Sequence, residues 1–218
     1  MAKPKLSHDK AVDETETYSA WKFFVAIGIL LVILVGYILY TQYQAKKMIE
    51  ENKYNGFDFS QAQGGIWVTR IQARNQPYDI PFYFHPRDTE EVYVEVNATL
   101  PLILYPGPAK VTISVDPAAS SKIVIAAIEI SRILGTKYNL YNYDVSSALS
   151  APAQGSADIP VVTCANATKD DVVVQFVQGQ QNAIARSKNP YCVILQYTDV
   201  DESVRVADRM AYMLLRIM

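Results

Sequence analysis

A long apolar run lies near the amino terminus of the chain. Residues Phe23 to Tyr40 hold no charge and no proline. At about 1.5 Å per residue, a helix of that length nearly crosses a hydrocarbon layer of about 30 Å. Trp21 and Lys22 before the run and Tyr43 after it suit the membrane interface. The pattern predicts a transmembrane helix over residues 21–43, with the lipid bilayer around residues 23–40.

The segments on either side of this helix differ in composition. Residues 1–20 are polar and charged, which is typical of a disordered tail. Residues 44–55 contain good helix formers and predict a short stalk, and residues 56–218 form the remaining domain. A cleaved signal peptide is the alternative for the apolar run. The run is longer than a signal peptide's apolar region and has bulky polar residues after it, so we favour a retained anchor.

The orientation of the anchor is weakly marked by charge, because four lysines precede the run and three follow it closely. The domain contains two N-glycosylation acceptor patterns, Asn97-Ala98-Thr99 and Asn166-Ala167-Thr168. It also contains both cysteines of the chain, Cys164 and Cys192. These features favour a cell-membrane protein with a cytoplasmic amino terminus and a carboxyl-terminal domain outside the cell.

The first part of the domain has the composition of β-strands. Ile66 to Ala73, Asp79 to His85 and Glu91 to Ala98 are rich in β-branched and aromatic residues, and turn-forming residues separate them. Three strands in a meander are expected, with Asn97 on the polar face of the third. Leu100 to Pro108 contains three prolines and predicts an edge strand or an irregular connector.

The second part alternates strands and helices. Lys110 to Val115 predicts a strand, and Asp116-Pro117 predicts the start of a helix over Ala118 to Leu134 that ends at Gly135. This helix is apolar nearly all round, with a polar stripe. The stripe consists of Lys122, Glu129 and Arg132.

Further strands are predicted between this helix and the carboxyl terminus. They cover Lys137 to Asp144, Pro160 to Cys164, Val172 to Val177, Asn182 to Ser187 and Tyr191 to Tyr197, with residues 146–158 as a surface loop. A last helix over Asp201 to Ile217 follows Asp199, and Glu202 completes a pattern that resembles a capping box. Val204, Ala207, Ala211, Leu214 and Met218 form its apolar stripe. The sequence therefore predicts a mixed α/β fold in one domain, with two main helices.

Composition and charge narrow the classes of function. Half of the residues are apolar, and the part after the anchor is long enough for one substantial core. The formal net charge is −2 and basic residues do not cluster, so binding of nucleic acid is not expected.

Motifs for catalysis are sparse. His85 is the one histidine outside the tail, and its position before Pro86 predicts an ordinary surface or hairpin-end residue. We find no sequence motif for a metal, a nucleotide or another cofactor. Asp199, Asp201 and Glu202 are the carboxylates available for acid–base work, although capping of the last helix also explains them.

Two groups of residues are candidates for a disulfide and for a ligand-binding site. Cys164 and Cys192 are either joined in a disulfide or buried as free thiols, and the sequence leaves both alternatives open. Tyr138, Tyr141, Tyr143 and Asp144 combine aromatic rings with a polar side chain, which is typical of surfaces that bind sugars. Tyrosine is also a common strand residue, so a purely structural role is the alternative.

Three stretches of the chain resemble a known group of proteins. They are residues 116–145, 159–168 with the sequence TCANAT at 163–168, and 201–218 with ADRMAYMLL at 207–215. In these stretches the chain is similar to an uncharacterised family of small archaeal single-pass membrane proteins. The resemblance implies an envelope protein with a short inner tail and an outer α/β domain, and it implies no catalytic residue.

Two function classes follow from these observations. The first is a non-enzymatic component of the cell envelope that binds another envelope protein or a glycan. The alternative is a membrane-tethered hydrolase or transferase that uses Asp199 and Asp201. We favour the first class because no catalytic set is evident.

Overall fold

The computed structural model of the protein describes residues 14–104, 107–155 and 158–218. It contains two compact units, Met1–Glu51 and Asn52–Met218. In the first unit, helix α1 spans Glu14–Glu51. Its segment Trp21–Lys47 is long and apolar enough to cross a membrane. The helix begins inside the segment predicted as a disordered tail, and the prediction for the first thirteen residues lies outside the described part.

The second unit begins with a four-stranded antiparallel sheet in the order β1-β2-β3-β4. The strands are β1 (Lys53–Tyr54), β2 (Phe57–Gln61), β3 (Trp67–Ala73) and β4 (Gln76–Phe82). Arg74 and Asn75 join β3 to β4 and both have positive φ angles, 45° and 67°. A two-residue turn of this kind matches the twist of paired strands. The ion pair of Arg70 with Asp79 links the same two strands.

The third strand predicted for this meander is wrong. Within Glu91 to Ala98, strand β5 covers only Tyr93–Val94. It pairs with a strand of a second, six-stranded sheet and not with the meander. Asn97 has a φ of 63° and its carbonyl accepts a hydrogen bond from Leu100 N, so the chain turns here. A left-handed residue ends the pleated strand, and Asn97 therefore lies in a turn instead of on a strand face.

The other sheet has six strands in the order β5-β9-β10-β8-β6-β7. The remaining strands are β6 (Lys110–Val115), β7 (Asp144–Leu149), β8 (Asp171–Gln178), β9 (Ala183–Arg186) and β10 (Cys192–Tyr197). β10, β8, β6 and β7 run parallel to one another, whereas β9 runs antiparallel to β10 and parallel to β5. The mixed fold predicted from the sequence is confirmed.

The region before β7 departs from its prediction. Residues 137–143 form an irregular loop, because Asn139 and Asn142 have φ angles of 52° and 60° that a pleated strand does not allow. β7 therefore begins at Asp144 and occupies part of the segment predicted as a surface loop. Within the predicted strand Pro160 to Cys164, Val161 makes one isolated bridge to β7.

Helices α2 and α3 lie on either side of strand β6 in the sequence. Helix α2 covers Leu100–Ile103, where a connector or edge strand was expected. Helix α3 covers Ser121–Leu134, and Ser120 caps it through a hydrogen bond from Lys122 N. The predicted cap, Asp116, instead accepts a hydrogen bond from Ala118 N in the preceding turn. The helix ends before Gly135, as expected.

The polar stripe predicted on α3 is partly wrong. Glu129 is buried at 6% exposure and pairs with Arg132, whereas Val124 and Ile128 are exposed. Helix α4 (Val200–Leu214) packs against α3, so the buried side of α3 includes Glu129. An apolar patch therefore faces outward on α3.

Helix α4 joins the layers of the domain. Asp199 caps it by accepting a hydrogen bond from Asp201 N, as predicted. Glu202 does not complete the capping box, because its carboxylate binds Asn182 and Arg205. α4 packs against α3 and β10, and the ring of Tyr212 contacts rings of the antiparallel sheet. The largest buried side chains of this core include Phe82, Phe176, Ile80, Leu102, Ile130, Leu195, Met210 and Tyr212.

The beginning and the end of the second unit meet. The side-chain nitrogen of Asn55 donates a hydrogen bond of 2.9 Å to the carbonyl of Ile217. Asn55 and Gly56 both have positive φ angles, 46° and 83°, which form the turn between β1 and β2. The carboxyl terminus is thus held beside the first hairpin of the sheet.

Candidate functional site

A groove of about 580 Å³ lies at the carboxyl end of α3. Its lining includes Arg132, Thr136, Lys137, Asn142, Tyr143 and Asp144. Two of the residues predicted to bind a ligand, Tyr143 and Asp144, therefore border it. Grooves of about 510 and 620 Å³ elsewhere in the domain contain none of the predicted binding residues.

The shape of the groove depends on how α3 ends. Gly135 N donates a hydrogen bond of 2.8 Å to Ser131 O. A Cβ atom on residue 135 would lie 2.8 Å from the same carbonyl oxygen, so a larger residue would displace the backbone. The chain then loops back, and Tyr143 N donates to Leu134 O at 3.0 Å. These bonds place the start of β7 beside the end of α3.

The hairpin of the antiparallel sheet supports the loop that borders the groove. The Asn142 amide, assigned with its oxygen towards Arg74, accepts a hydrogen bond of 3.0 Å from the guanidinium. The ring of Tyr78 in β4 packs edge-on against Tyr138, with 5.9 Å between the centroids. Both contacts join the loop to the other sheet, so the groove wall is fixed by tertiary contacts.

Charged side chains of both signs are available in the groove. The Asp144 side chain is exposed, and no hydrogen bond or ion pair to it is found among the described residues. The Lys137 ammonium lies 5.7 Å from the centroid of the Tyr138 ring and has no carboxylate partner in that part of the chain. Arg132 differs, because Glu129 pairs with it. The groove thus offers the Asp144 carboxylate as a hydrogen-bond acceptor and the Lys137 ammonium as a donor, and neither is paired with an opposite charge in the described part of the chain.

The tyrosines predicted to form an aromatic binding face serve mainly to hold the loop. Tyr138 is buried. The hydroxyl of Tyr141 donates to Leu214 O at 2.6 Å, and that of Tyr143 donates to Leu102 O at 2.7 Å. Burial raises the pKa of both hydroxyls. Binding by Tyr143 and Asp144 stays a prediction, whereas Tyr138 and Tyr141 lie away from the groove lining.

The prediction of a surface position for His85 is wrong. The residue is buried at 5% exposure, and the rings of Phe59 and Trp67 pack edge-on against it at 5.1 and 4.8 Å. Its Nδ1 accepts a hydrogen bond from Arg87 N, and its own backbone N–H donates to Asp88. Burial lowers the pKa of the imidazole. His85 therefore caps the short turn that follows it.

The carboxylates considered for catalysis lie outside the groove. Asp199 caps α4, and Asp201 is exposed and paired with Lys122. Glu202 binds Asn182 at 2.7 Å. Within the described ranges, no group of three histidine, cysteine or acidic residues is placed to hold a metal ion.

Asp208 is a buried acid that the sequence analysis missed. Its Oδ2 accepts hydrogen bonds from Tyr83 N at 2.9 Å and Phe84 N at 2.8 Å. Removal from water raises its pKa to about 7, although these two bonds and the charge of Arg132 act in the opposite direction. Its helical spacing from Val204 and Ala211 places it on the apolar stripe of α4, which is the pattern that indicates a buried acid.

The two cysteines are joined in a disulfide, with their Cα atoms 5.2 Å apart. Cys192 packs with Val173 and Ala167 in a small core on one face of the six-stranded sheet. The side chain of Asn189 donates to the carbonyls of Cys164 and Ala167. Of the two alternatives left open by the sequence, the structure contains the bonded one.

Comparisons with known proteins add no assignment. No protein-family model matches the chain, and neither a curated protein nor a solved structure matches it significantly. The resemblance to archaeal membrane proteins stays a prediction.

Proposed function

We propose that the protein is a single-pass membrane protein whose domain lies outside the cytoplasm and binds a glycan of the cell envelope. The membrane-spanning length of α1 supports the anchor. The disulfide between Cys164 and Cys192 supports an oxidising compartment for the domain. The amino terminus is then cytoplasmic.

One observation carries the choice of a glycan. Asp144 and Lys137 border one groove, and neither side chain has an oppositely charged partner among the described residues. Sugar hydroxyls both donate and accept hydrogen bonds, so a site for them needs both kinds of group. Tyr143 also lines the groove, and an aromatic residue in such a site offers a sugar ring an apolar surface.

The alternative of a tethered hydrolase or transferase finds less support. It requires Asp199 and Asp201 to act on one substrate. Asp199 is engaged as the cap of α4 and Asp201 pairs with Lys122. Capping and ion pairing account for both carboxylates, so we do not extend the proposal to catalysis.

Glycan binding is tested with the full chain in detergent. The probes are neutral, amino-sugar and uronic-acid oligosaccharides on an array, with affinities measured in solution for those retained. We expect Asp144→Ala and Lys137→Ala to weaken binding at least tenfold, since each removes a charge-assisted hydrogen bond. Asp158→Ala and Lys188→Ala remove exposed charges elsewhere and serve as matched controls. Absence of binding to every probe, or equal losses in the controls, refutes the proposal.

Orientation is tested separately in intact cells. A membrane-impermeant maleimide should label the variant Lys188→Cys before permeabilisation, because Lys188 is exposed in the domain. The variant Lys3→Cys should react after permeabilisation alone. The reverse pattern places the domain in the cytoplasm and refutes the proposed location.

A further inference from the structure

We infer that Asn97 carries an N-linked glycan and that Asn166, in the second acceptor pattern, is not modified. The inference rests on the proposed location of the domain outside the cytoplasm. Both sites have the sequence Asn-Ala-Thr, so the sequence does not distinguish them. Their surroundings in the folded domain do.

The side chain of Asn97 is exposed in the turn between β5 and α2. Its backbone carbonyl accepts a hydrogen bond from Leu100 N, and no hydrogen bond to its side-chain amide is found among the described residues. Val96 beside it is 77% exposed. A sugar on the amide nitrogen of Asn97 therefore displaces no packed group and breaks no hydrogen bond.

The side chain of Asn166 is already engaged. Its Oδ1 accepts hydrogen bonds from the backbone nitrogen of Thr163 at 2.9 Å and from the Thr163 hydroxyl at 3.2 Å. The threonine of the pattern is engaged as well, because the Thr168 hydroxyl accepts a hydrogen bond from Asp171 N. The amide oxygen of Asn166 and the hydroxyl of Thr168 are thus both held in local hydrogen bonds.

The segments around Asn97 and Asn166 also differ in how easily they can rearrange to fit the active site of a glycosyltransferase. Thr99 is buried, so transfer to Asn97 requires α2 to move away from the domain. α2 has four residues, and helices this short are marginal by themselves. Leu102 is the one buried residue of α2, so opening must release its side chain and the bond from the Tyr143 hydroxyl to its carbonyl. Its Ile103 and the following Leu104 are exposed. Local opening of such a segment costs less than unfolding of the domain.

Opening around Asn166 meets an additional constraint. Asn166 is two residues from Cys164, which is bonded to Cys192 in a central strand of the sheet. Asn189 holds the carbonyls on either side of the same turn, at 3.0 and 2.8 Å. Asn166 and Thr168 are themselves exposed, but the disulfide and the Asn189 bonds restrain their turn, so it rearranges less readily than the segment around Asn97.

The modification is a glycosyl transfer from a lipid-linked oligosaccharide. The amide nitrogen of Asn97 forms a bond to the anomeric carbon of the first sugar and loses one proton. The bond between that carbon and the lipid phosphate oxygen breaks, and the lipid phosphate leaves with the bonding electrons. No oxidant or reductant is required.

The test uses the full chain purified from its native host. Trypsin releases Asn97 in peptide 88–110 and Asn166 in peptide 138–169, so mass spectrometry assigns a glycan to one or the other. We expect the added mass on peptide 88–110 alone. Asn97→Gln should abolish the added mass of the intact protein, whereas Asn166→Gln should leave it unchanged.

Two controls separate this inference from the proposed function. Thr99→Ser preserves the acceptor pattern and should retain the glycan, which excludes a general effect of altering the turn. A glycan on peptide 138–169 overturns the inference. Absence of any glycan overturns it as well when maleimide labelling places the domain outside, and the proposed location then stands. Labelling that places the domain inside refutes the location itself.

Discussion

The Asp208 carboxylate of α4 accepts a hydrogen bond of 2.8 Å from the backbone nitrogen of Phe84. Phe84 lies just after the antiparallel sheet, so one side chain links the last helix to the first sheet. The adjacent nitrogen of Tyr83 donates to the same oxygen atom. This buried acid connects two layers of the domain and makes its stability depend on pH.

Stability should fall as the pH rises from about 4 to about 7. The folded domain retains the proton of Asp208 up to about pH 7, whereas an unfolded aspartate loses it near pH 4. Between these values the unfolded chain binds fewer protons, so deprotonation favours unfolding, by at most about 4 kcal/mol. Denaturant titrations at several pH values measure this effect. Asp208→Asn should flatten the profile in this range, whereas Asp201→Asn at an exposed site should leave it unchanged.

Removal of the disulfide should destabilise the domain. The bond closes a loop with a sequence separation of 28 residues, and loops of this size contribute about 3 kcal/mol through the unfolded state. The measurement is the denaturant midpoint of the variant with Cys164→Ser and Cys192→Ser. Dithiothreitol should shift the wild-type midpoint by a similar amount and should not affect the double variant. An unchanged midpoint in both experiments contradicts the prediction.

Loss of the Tyr143 hydroxyl should weaken the loop beside the groove. Tyr143→Phe leaves the carbonyl of the buried residue Leu102 without this donor, at a cost of about 1 to 3 kcal/mol. Thermal unfolding of the full chain in detergent measures the change. Tyr93→Phe removes an exposed hydroxyl for which no hydrogen bond is found among the described residues, and it should shift the midpoint little. Equal shifts of the unfolding midpoint in the two variants would show that the hydrogen bond to Leu102 does not cause the loss of stability.

Gly135→Ala should disturb the end of α3. The added Cβ atom approaches Ser131 O to 2.8 Å, so the backbone must shift, and we expect a loss of about 1 to 3 kcal/mol. Because Gly135 also borders the groove, any affinity for an oligosaccharide should fall together with stability. Thr136→Ala changes the neighbouring position without this clash. It should leave the unfolding midpoint close to that of the wild type.

Strong apolar patterns explain which elements were predicted from the sequence. β6, β8, β10 and α4 lie within three residues of their predicted positions, because burial of β-strands and of one helix face produces distinctive repeats. α1 contains the predicted span but extends beyond it at both ends. The segment 137–143 was assigned wrongly since tyrosines favour strands. The left-handed conformations of Asn139 and Asn142 depend on contacts with the antiparallel sheet, including Arg74.

The candidate site was predicted only in part, because some of its residues are brought together by contacts between distant parts of the sequence. Tyr143 and Asp144 were named from local composition, and both border the groove. Lys137 was assigned to a strand, and Arg132 was assigned to the polar stripe of α3. Their proximity arises because α3 ends at Gly135 and the chain returns beside it, a path that local composition does not specify.

The hydrogen bond from Asn55 to Ile217 has a consequence for synthesis of the protein. The two residues are 162 positions apart, so the contact cannot form until residue 217 has left the ribosome. Tyr141 likewise depends on Leu214. The domain therefore cannot complete its fold before residues 214–217 have been synthesised, and a polypeptide that stops before residue 214 should fold incompletely.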